Sequence, residues 1–290
     1  MDINRFRLIK IRHLFLQLTF ALLISMIVGD IIVAILRVDH SHIRLVIIKI
    51  IYCLLIFRVI FRILYDLEIK LFEFISHNPI DRKELPYFLG VLPAITFSYF
   101  YFPSFVYFTS FISPQVSMSI LGLDQSTTVL YSHELTLQMI LINLVLFLLG
   151  VVVVPIYEEF IFRGVILNVL RAKMTTTSAI VISSIMFGML HGYRFLDAII
   201  ASLLLSIIYL KLKSLYAVII VHAIYNGLAF FYEFKWIINE KTPLALTMDS
   251  IETFLPTSLT MSSISLILFI IYLFFCWPRA NTRMRSIQST

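Results

Sequence analysis

Apolar residues run in blocks long enough to cross a bilayer, and the polar positions between them carry the topology. Blocks at 14–36, 43–65, 87–112, 135–171, 177–192, 196–210, 215–232 and 259–277 each read as a membrane helix. Cations gather at alternate ends of these blocks. Arg5, Arg7, Lys10 and Arg12 precede the first, and Lys70, Arg82 and Lys83 lie in the loop 66–86. Arg171 with Lys173, Lys211 with Lys213, and Arg279, Arg283 and Arg285 close later ones. Positive charge stays on the cytoplasmic side, so these ends share one face and both termini are expected in the cytoplasm. The loop 113–134 holds no Lys or Arg and is assigned outside, as is the loop 233–258 with its prolines. Pro93 and Pro103 are expected to break the third span, and Pro155 to kink the long fourth one.

Composition agrees. The 290 residues are 60% hydrophobic and 14% charged, with mean hydropathy +0.96, whereas a globular domain is about half apolar and about a quarter charged. The expected fold class is all-α: a polytopic membrane bundle of about eight transmembrane helices. Three units are drawn along it: spans one to three in 1–134, a core of spans four to seven in 135–232, and an external loop, last span and basic tail in 233–290. The net charge of +6 is explained by the helix ends, and no extramembrane segment is long enough to form a nucleic-acid groove. Cys53 and Cys276 lie in apolar runs, which argues against a disulfide or a thiolate–metal site. The first apolar run is too long for a signal peptide and is read as a retained span. The final Ile-Gln-Ser-Thr carries no CaaX lipidation signal.

Against this background the ionisable residues inside spans stand out, because charge in a bilayer is expensive and marks function. Arg58 and Arg62, one turn apart, read as structural. The stretch Pro155–Leu170 holds Glu158, Glu159 and Arg163 in an otherwise nearly apolar run. Glu159 and Arg163 are spaced i,i+4 and can pair, while Glu158 points about 100° away and keeps an unmatched carboxylate suited to general-base work. Span five ends in Phe187-Gly-Met-Leu-His191, and span seven carries His222-Ala-Ile-Tyr-Asn226, again i,i+4. Gly164, Gly188, Gly192 and Gly227 lie beside these groups and permit close helix approach. Glu158 is 13 residues from Arg171, Asn226 is 13 from Lys213, and His191 is 18 from Lys173. At a helical rise these distances are roughly 20–27 Å, so the groups can meet at one depth. His133-Glu134 is followed by Leu-Thr-Leu, so the zinc-protease pattern H-E-x-x-H fails there.

The ordered set E-E-x-x-x-R, F-x-x-x-H and H-x-x-x-N, about 30 residues apart, resembles the CPBP family of type II CAAX prenyl endopeptidases and of bacterial relatives linked to bacteriocin processing and self-immunity. Each motif alone is weak, but the three in order are specific, and they cover residues 135–232. The resemblance implies an intramembrane endopeptidase of the metalloprotease type, placed in a bacterial plasma membrane. Glu158 with His191 would position and deprotonate water, His222 and Asn226 would stabilise the oxyanion, Glu159 with Arg163 would lock the geometry, and Phe187 would support them. Glu158, His191 and His222 could supply three ligands of one divalent metal, zinc being the expected ion. A metal-free glutamate mechanism uses the same residues. The implied partners are the lipid bilayer and a hydrophobic or membrane-inserted peptide, such as a peptide pheromone or bacteriocin precursor, with no nucleic acid. A non-catalytic immunity or scaffold protein would keep the fold and the polar residues for structure. A proton-coupled transporter would use them as relays, but the paired broken repeats common in transporters are not visible.

Overall fold

The computed structural model describes residues 3–36, 41–70, 75, 81–127, 136–240 and 248–278. All regular structure among them is helical. The principal helices are α1 (Ile11–Leu36), α2 (Ser41–Asp66), α3 (Val91–Ile112), α4 (Pro114–Thr127), α5 (Leu137–Arg171), α6 (Thr176–Met189), α7 (Phe195–Leu212), α8 (Leu215–Glu240) and α9 (Met248–Cys276). His133, Glu134, Arg279, Arg283 and Arg285 lie outside the described residues.

Five stretches are long and apolar enough to cross a bilayer: Ile11–Leu36, Arg82–Ile112, Leu137–Arg171, Gly192–Leu212 and Ile251–Cys276. Thr176–Met189 and Leu215–Phe231 are apolar but shorter. α2 matches α1 in length, but it carries Lys49, Arg58 and Arg62 and is not one of the five. Large apolar side chains are exposed on the outer helices, among them Ile27, Ile35, Phe274 and Phe275. Such a surface would drive aggregation in water and is matched by lipid. The chain is therefore an integral, multi-pass, all-helical membrane protein.

Two expected loops are largely helical. α4 occupies much of 113–134, and α8 and α9 extend into 233–258 from both sides. Pro256 sits inside α9 rather than in a loop. Charge content misleads there, because a helix end projecting from the bilayer carries the same polar residues as a loop. Neither Pro93 nor Pro103 breaks α3. Pro93 falls in the first turn, where no intrahelical donor is needed. Pro103 is buried within the helix, where packed neighbours in a membrane interior tolerate it.

The core lies around the second half of α5. Ile166, Leu167 and Val169 are fully buried there, facing Ile180 of α6, Ile207 and Ile208 of α7 and Val218 of α8, also fully buried. The Thr175 side chain caps α6 by accepting from the Ser178 amide, and Thr136 does the same for α5 from Met139. The N-terminal segment reaches across one face. The Arg5 guanidinium donates to the carbonyls of Leu67 and Glu68 beyond α2, and that of Arg7 donates to Ala172 beyond α5. Phe6 between them is fully buried. Cations thus satisfy two helix C-termini from a distant part of the chain.

The last helix packs on α3 through small residues. The hydroxyls of Ser104 and Ser258 are 2.7 Å apart, and Ser258 also donates to the Phe100 carbonyl. Tyr272 donates to the Tyr87 carbonyl at 2.8 Å. Small polar contacts of this kind hold membrane helices together where apolar burial gives no preference.

Gly188 sets the approach of α6 to α7: an added Cβ would lie 2.6 Å from the Phe195 carbonyl oxygen and would also overlap Ile199. Backbone cannot rotate away as a side-chain tip does. Gly188→Ala is expected to destabilise by about 1–3 kcal/mol through overpacking, seen as a lowered thermal midpoint in nanodiscs. Gly150→Ala, whose methyl would meet nothing within 4 Å, is expected to stay near wild type.

Candidate functional site

α5 is not a regular helix. It widens into a π-helical stretch at Leu148–Val153, tightens to α over Val154–Glu159, and widens again at Phe160–Ile166. Pro155 stands at the start of the α turn, where its missing N–H is tolerated. π turns displace the hydrogen-bond ladder and are frequent at functional sites. Freed carbonyls must find partners in a bilayer, and here side chains supply them. Asn226 Nδ2 donates to the Gly150 carbonyl at 2.9 Å. Asn168 Nδ2 donates to the carbonyls of Arg163 and Gly164 at 3.0 and 2.9 Å, and is bonded to the Tyr209 hydroxyl of α7.

Between the two π turns lies the charged centre. Arg163 Nη1 donates to Glu159 Oε1 at 2.7 Å, and the two side chains are 1% and 0% exposed. Arg163 Nη2 donates to the Ser202 hydroxyl and carbonyl of α7 at 2.9 and 3.2 Å. The guanidinium carbon also stands 5.0 Å from the Phe187 ring centroid. Glu159 Oε1 takes a second bond, from His222 Nδ1 at 2.6 Å. A carboxylate only accepts, so Nδ1 carries the hydrogen and Nε2 faces the other way. Glu159 is thus more than the neutralised partner of Arg163, as its spacing suggested; it also orients an imidazole from another helix.

His222 Nε2 faces Glu158, with Oε2 3.8 Å away. That is beyond a direct hydrogen bond. Glu158 is 18% exposed at its side chain, against 0% for Glu159, so the two neighbours occupy different environments. His191 follows the end of α6. Its Nδ1 is 2.7 Å from the Phe187 carbonyl and donates to it, leaving Nε2 outward. Its ring packs tilted against that of Phe187, centroids 4.3 Å apart, and it lies within electrostatic reach of Glu158. Phe187 also packs edge-on against Phe162 at 4.8 Å and near His222 at 6.2 Å. From outside this set, α2 brings Tyr52 edge-on to Tyr157 at 6.3 Å, also within reach of Glu158.

The fold therefore gathers Glu158, Glu159, Arg163, Phe187, His191 and His222 in one place and anchors Asn226 beside them on the first π turn. Ser202, Asn168 and the Gly150 carbonyl also belong to the arrangement, and the motif spacing does not point to them. The available signal was polar residues, including Asn168, Ser202 and Ser206, inside apolar spans. Among the described residues no three His, Cys, Asp or Glu side chains are gathered so as to hold an ion.

Residues 140–228 match the family model described as Type II CAAX prenyl endopeptidase Rce1-like. This stretch contains all three motifs and is similar to a family of CAAX prenyl endopeptidases. Comparisons with curated proteins and with solved structures gave no match.

Removing the arginine would leave a carboxylate buried with one partner fewer. Arg163→Ala is expected to lower stability by about 3–5 kcal/mol, and Ser202→Ala by about 1 kcal/mol. Thermal unfolding of the two purified variants checks the order.

Proposed function

We propose that this CAAX-protease-family chain is an intramembrane endopeptidase that hydrolyses a peptide bond of a hydrophobic or membrane-inserted peptide by glutamate-activated water. The observation that carries the reading is the facing pair of Glu158 and His222, 3.8 Å apart, with the ring of His222 oriented from behind by Glu159. A water bridging such a gap makes hydrogen bonds of ordinary length to both groups.

In this mechanism Glu158 takes a proton from the water, which His191 helps to hold, and the oxygen attacks the scissile carbonyl. The oxyanion is met by two donors. One is His222 Nε2–H, presented when the ring carries a hydrogen on both nitrogens and Nδ1–H stays on Glu159. The other is Asn226. Its amide has two N–H groups, and the bond to Gly150 uses one and fixes its orientation. Glu158 then returns the proton to the leaving amine as the C–N bond breaks, giving a carboxyl and an amine product. Arg163 and Glu159 hold the imidazole and touch no reacting atom. No step passes through a metal.

Eight spans with both termini in the cytoplasm, in a bacterial plasma membrane, complete the proposal. The cation distribution supports it, and the clasp of the N-terminal segment on the ends of α2 and α5 agrees with it. Maturation of a peptide pheromone or bacteriocin, or self-immunity against one, is a role that suits a substrate of this chemistry.

The test compares membrane peptides from cells making wild-type protein or Glu158→Gln at equal abundance. A cleaved peptide is expected with wild type and is expected to fall by a factor on the order of 10²–10⁴ with the variant, while the thermal midpoint is kept. Equal product from both overturns the reading. For the metal-free route, purified protein treated with a strong chelator is expected to retain cleavage. A stoichiometric metal lost together with activity overturns that route.

Glu159→Asp separates the two glutamates. The shortened carboxylate is expected to lower the thermal midpoint, because it cannot reach Arg163 and His222 together. A variant that keeps full stability but loses all cleavage would instead make Glu159 the reacting group.

A further inference from the structure

Asp197 lies in the first turn of α7 with its side chain 6% exposed. An acidic residue there suits the helix dipole, but that role needs no burial and no distant partner. Asp197 has both. Its Oδ2 accepts from the Ser98 hydroxyl of α3 at 2.8 Å and is ion-paired with Arg194 Nε at 3.1 Å, and its Oδ1 accepts from the Ala198 amide at 3.1 Å. A buried carboxylate of this kind is retained only where its partners hold it.

The two side-chain partners lead to the candidate site by separate routes. Arg194 ends the short turn Gly192–Arg194 that follows His191. Its amide donates to the His191 carbonyl at 3.1 Å, and Gly192 takes the left-handed conformation, φ +58°, that the turn requires. The same turn is pressed against α3: the Arg194 guanidinium lies 5.0 Å from the Phe102 ring centroid, and the Tyr193 ring 5.9 Å. On the other route, Ser98 lies within interaction reach of Tyr225, the residue before Asn226 on α8. Asp197 itself is within electrostatic reach of His191.

We propose that Asp197 is a positioning residue of the site, joining the His191 turn and the Asn226-bearing helix to α3 through Arg194 and Ser98. α3 lies outside residues 140–228, the stretch matched by the family model. The third span thereby acquires a part in the site: it supplies the hydroxyl that keeps the backbone carrying His191 and the rotation of α8 in register. The consequence for cleavage rests on the protease reading, whereas the geometry does not.

The test uses the full chain in lipid nanodiscs, labelled with ¹⁵N-histidine, with His191 signals assigned from a His191→Gln variant. In wild type, His191 is expected as a single Nδ1–H tautomer, set by its bond to the Phe187 carbonyl. In Asp197→Asn and in Ser98→Ala, that signal is expected to shift toward an average of both tautomers. Ser98→Thr, which keeps the hydroxyl, is expected to restore the wild-type pattern. Once a cleaved peptide is identified, its yield is expected to fall on the order of tenfold or more in the two disruptive variants and to recover in Ser98→Thr. An unchanged His191 signal in Asp197→Asn and Ser98→Ala overturns the proposal, as does a Ser98→Thr spectrum equal to that of Ser98→Ala. If Asp197→Asn does not fold, the Ser98 pair decides. The spectra need no substrate, so a failure of the protease reading leaves this result intact and is seen separately, as wild-type membranes without product.

Discussion

One carboxylate oxygen holds the centre of the protein. Glu159 Oε1 accepts from Arg163 on its own helix and from His222 on α8, in a place with almost no solvent exposure. Taking an ion out of water costs several kcal/mol even after relaxation, and a bilayer interior offers no water to soften the cost. The cluster persists because each charge meets another and Arg163 finds further acceptors on Ser202. That requirement draws α7 in through Ser202, α6 in through the Phe187 ring and α8 in through His222. The helices around the site are located by polar satisfaction, since lipid is as apolar as their side chains and gives them little reason to prefer one another.

The π turns of α5 extend the same logic to the backbone. A straight α-helix would satisfy its own carbonyls and leave nothing for side chains to grip. Two widened turns release carbonyls at Gly150 and at Arg163–Gly164, and asparagines on α8 and on α5 itself take them up. The Asn226 amide is thereby oriented by the scaffold, as the proposed oxyanion role requires. The pairing of Glu158 with Glu159 follows from the same local geometry. Adjacent residues on one turn diverge by about 100°, so one carboxylate enters the ion cluster and the other faces two imidazoles.

Much of the candidate site was legible from spacing. Glu159 and Arg163 at i,i+4, and charges and histidines at matched depth in apolar spans, are enough to say that these groups must meet, because none is tolerable alone. The fold class was legible for a similar reason: long apolar blocks have no other stable form in lipid than helices. Where polar composition stood for loop, it misled. α4 and the first turns of α9 are helices in segments rich in polar residues, and Pro103 lies within an unbroken helix, because hydrogen bonding along the chain and packing from neighbours override local composition.

What the sequence by itself determined is the inventory and the depth of the charges: two glutamates, an arginine, two histidines and an asparagine, placed on spans that must bury them. Tertiary structure alone decided which nitrogen of each histidine faces inward, since that depends on the Phe187 carbonyl for His191 and on Glu159 for His222. It also decided that Ser202, Ser98 and Asp197 take part, because a serine or a first-turn aspartate reads the same in a chain whether its partner is water, its own helix or a residue a hundred positions away. Spacing along a helix reports neighbours on that helix, whereas partners across helices are set by the packing that brings α3, α5, α7 and α8 to one point.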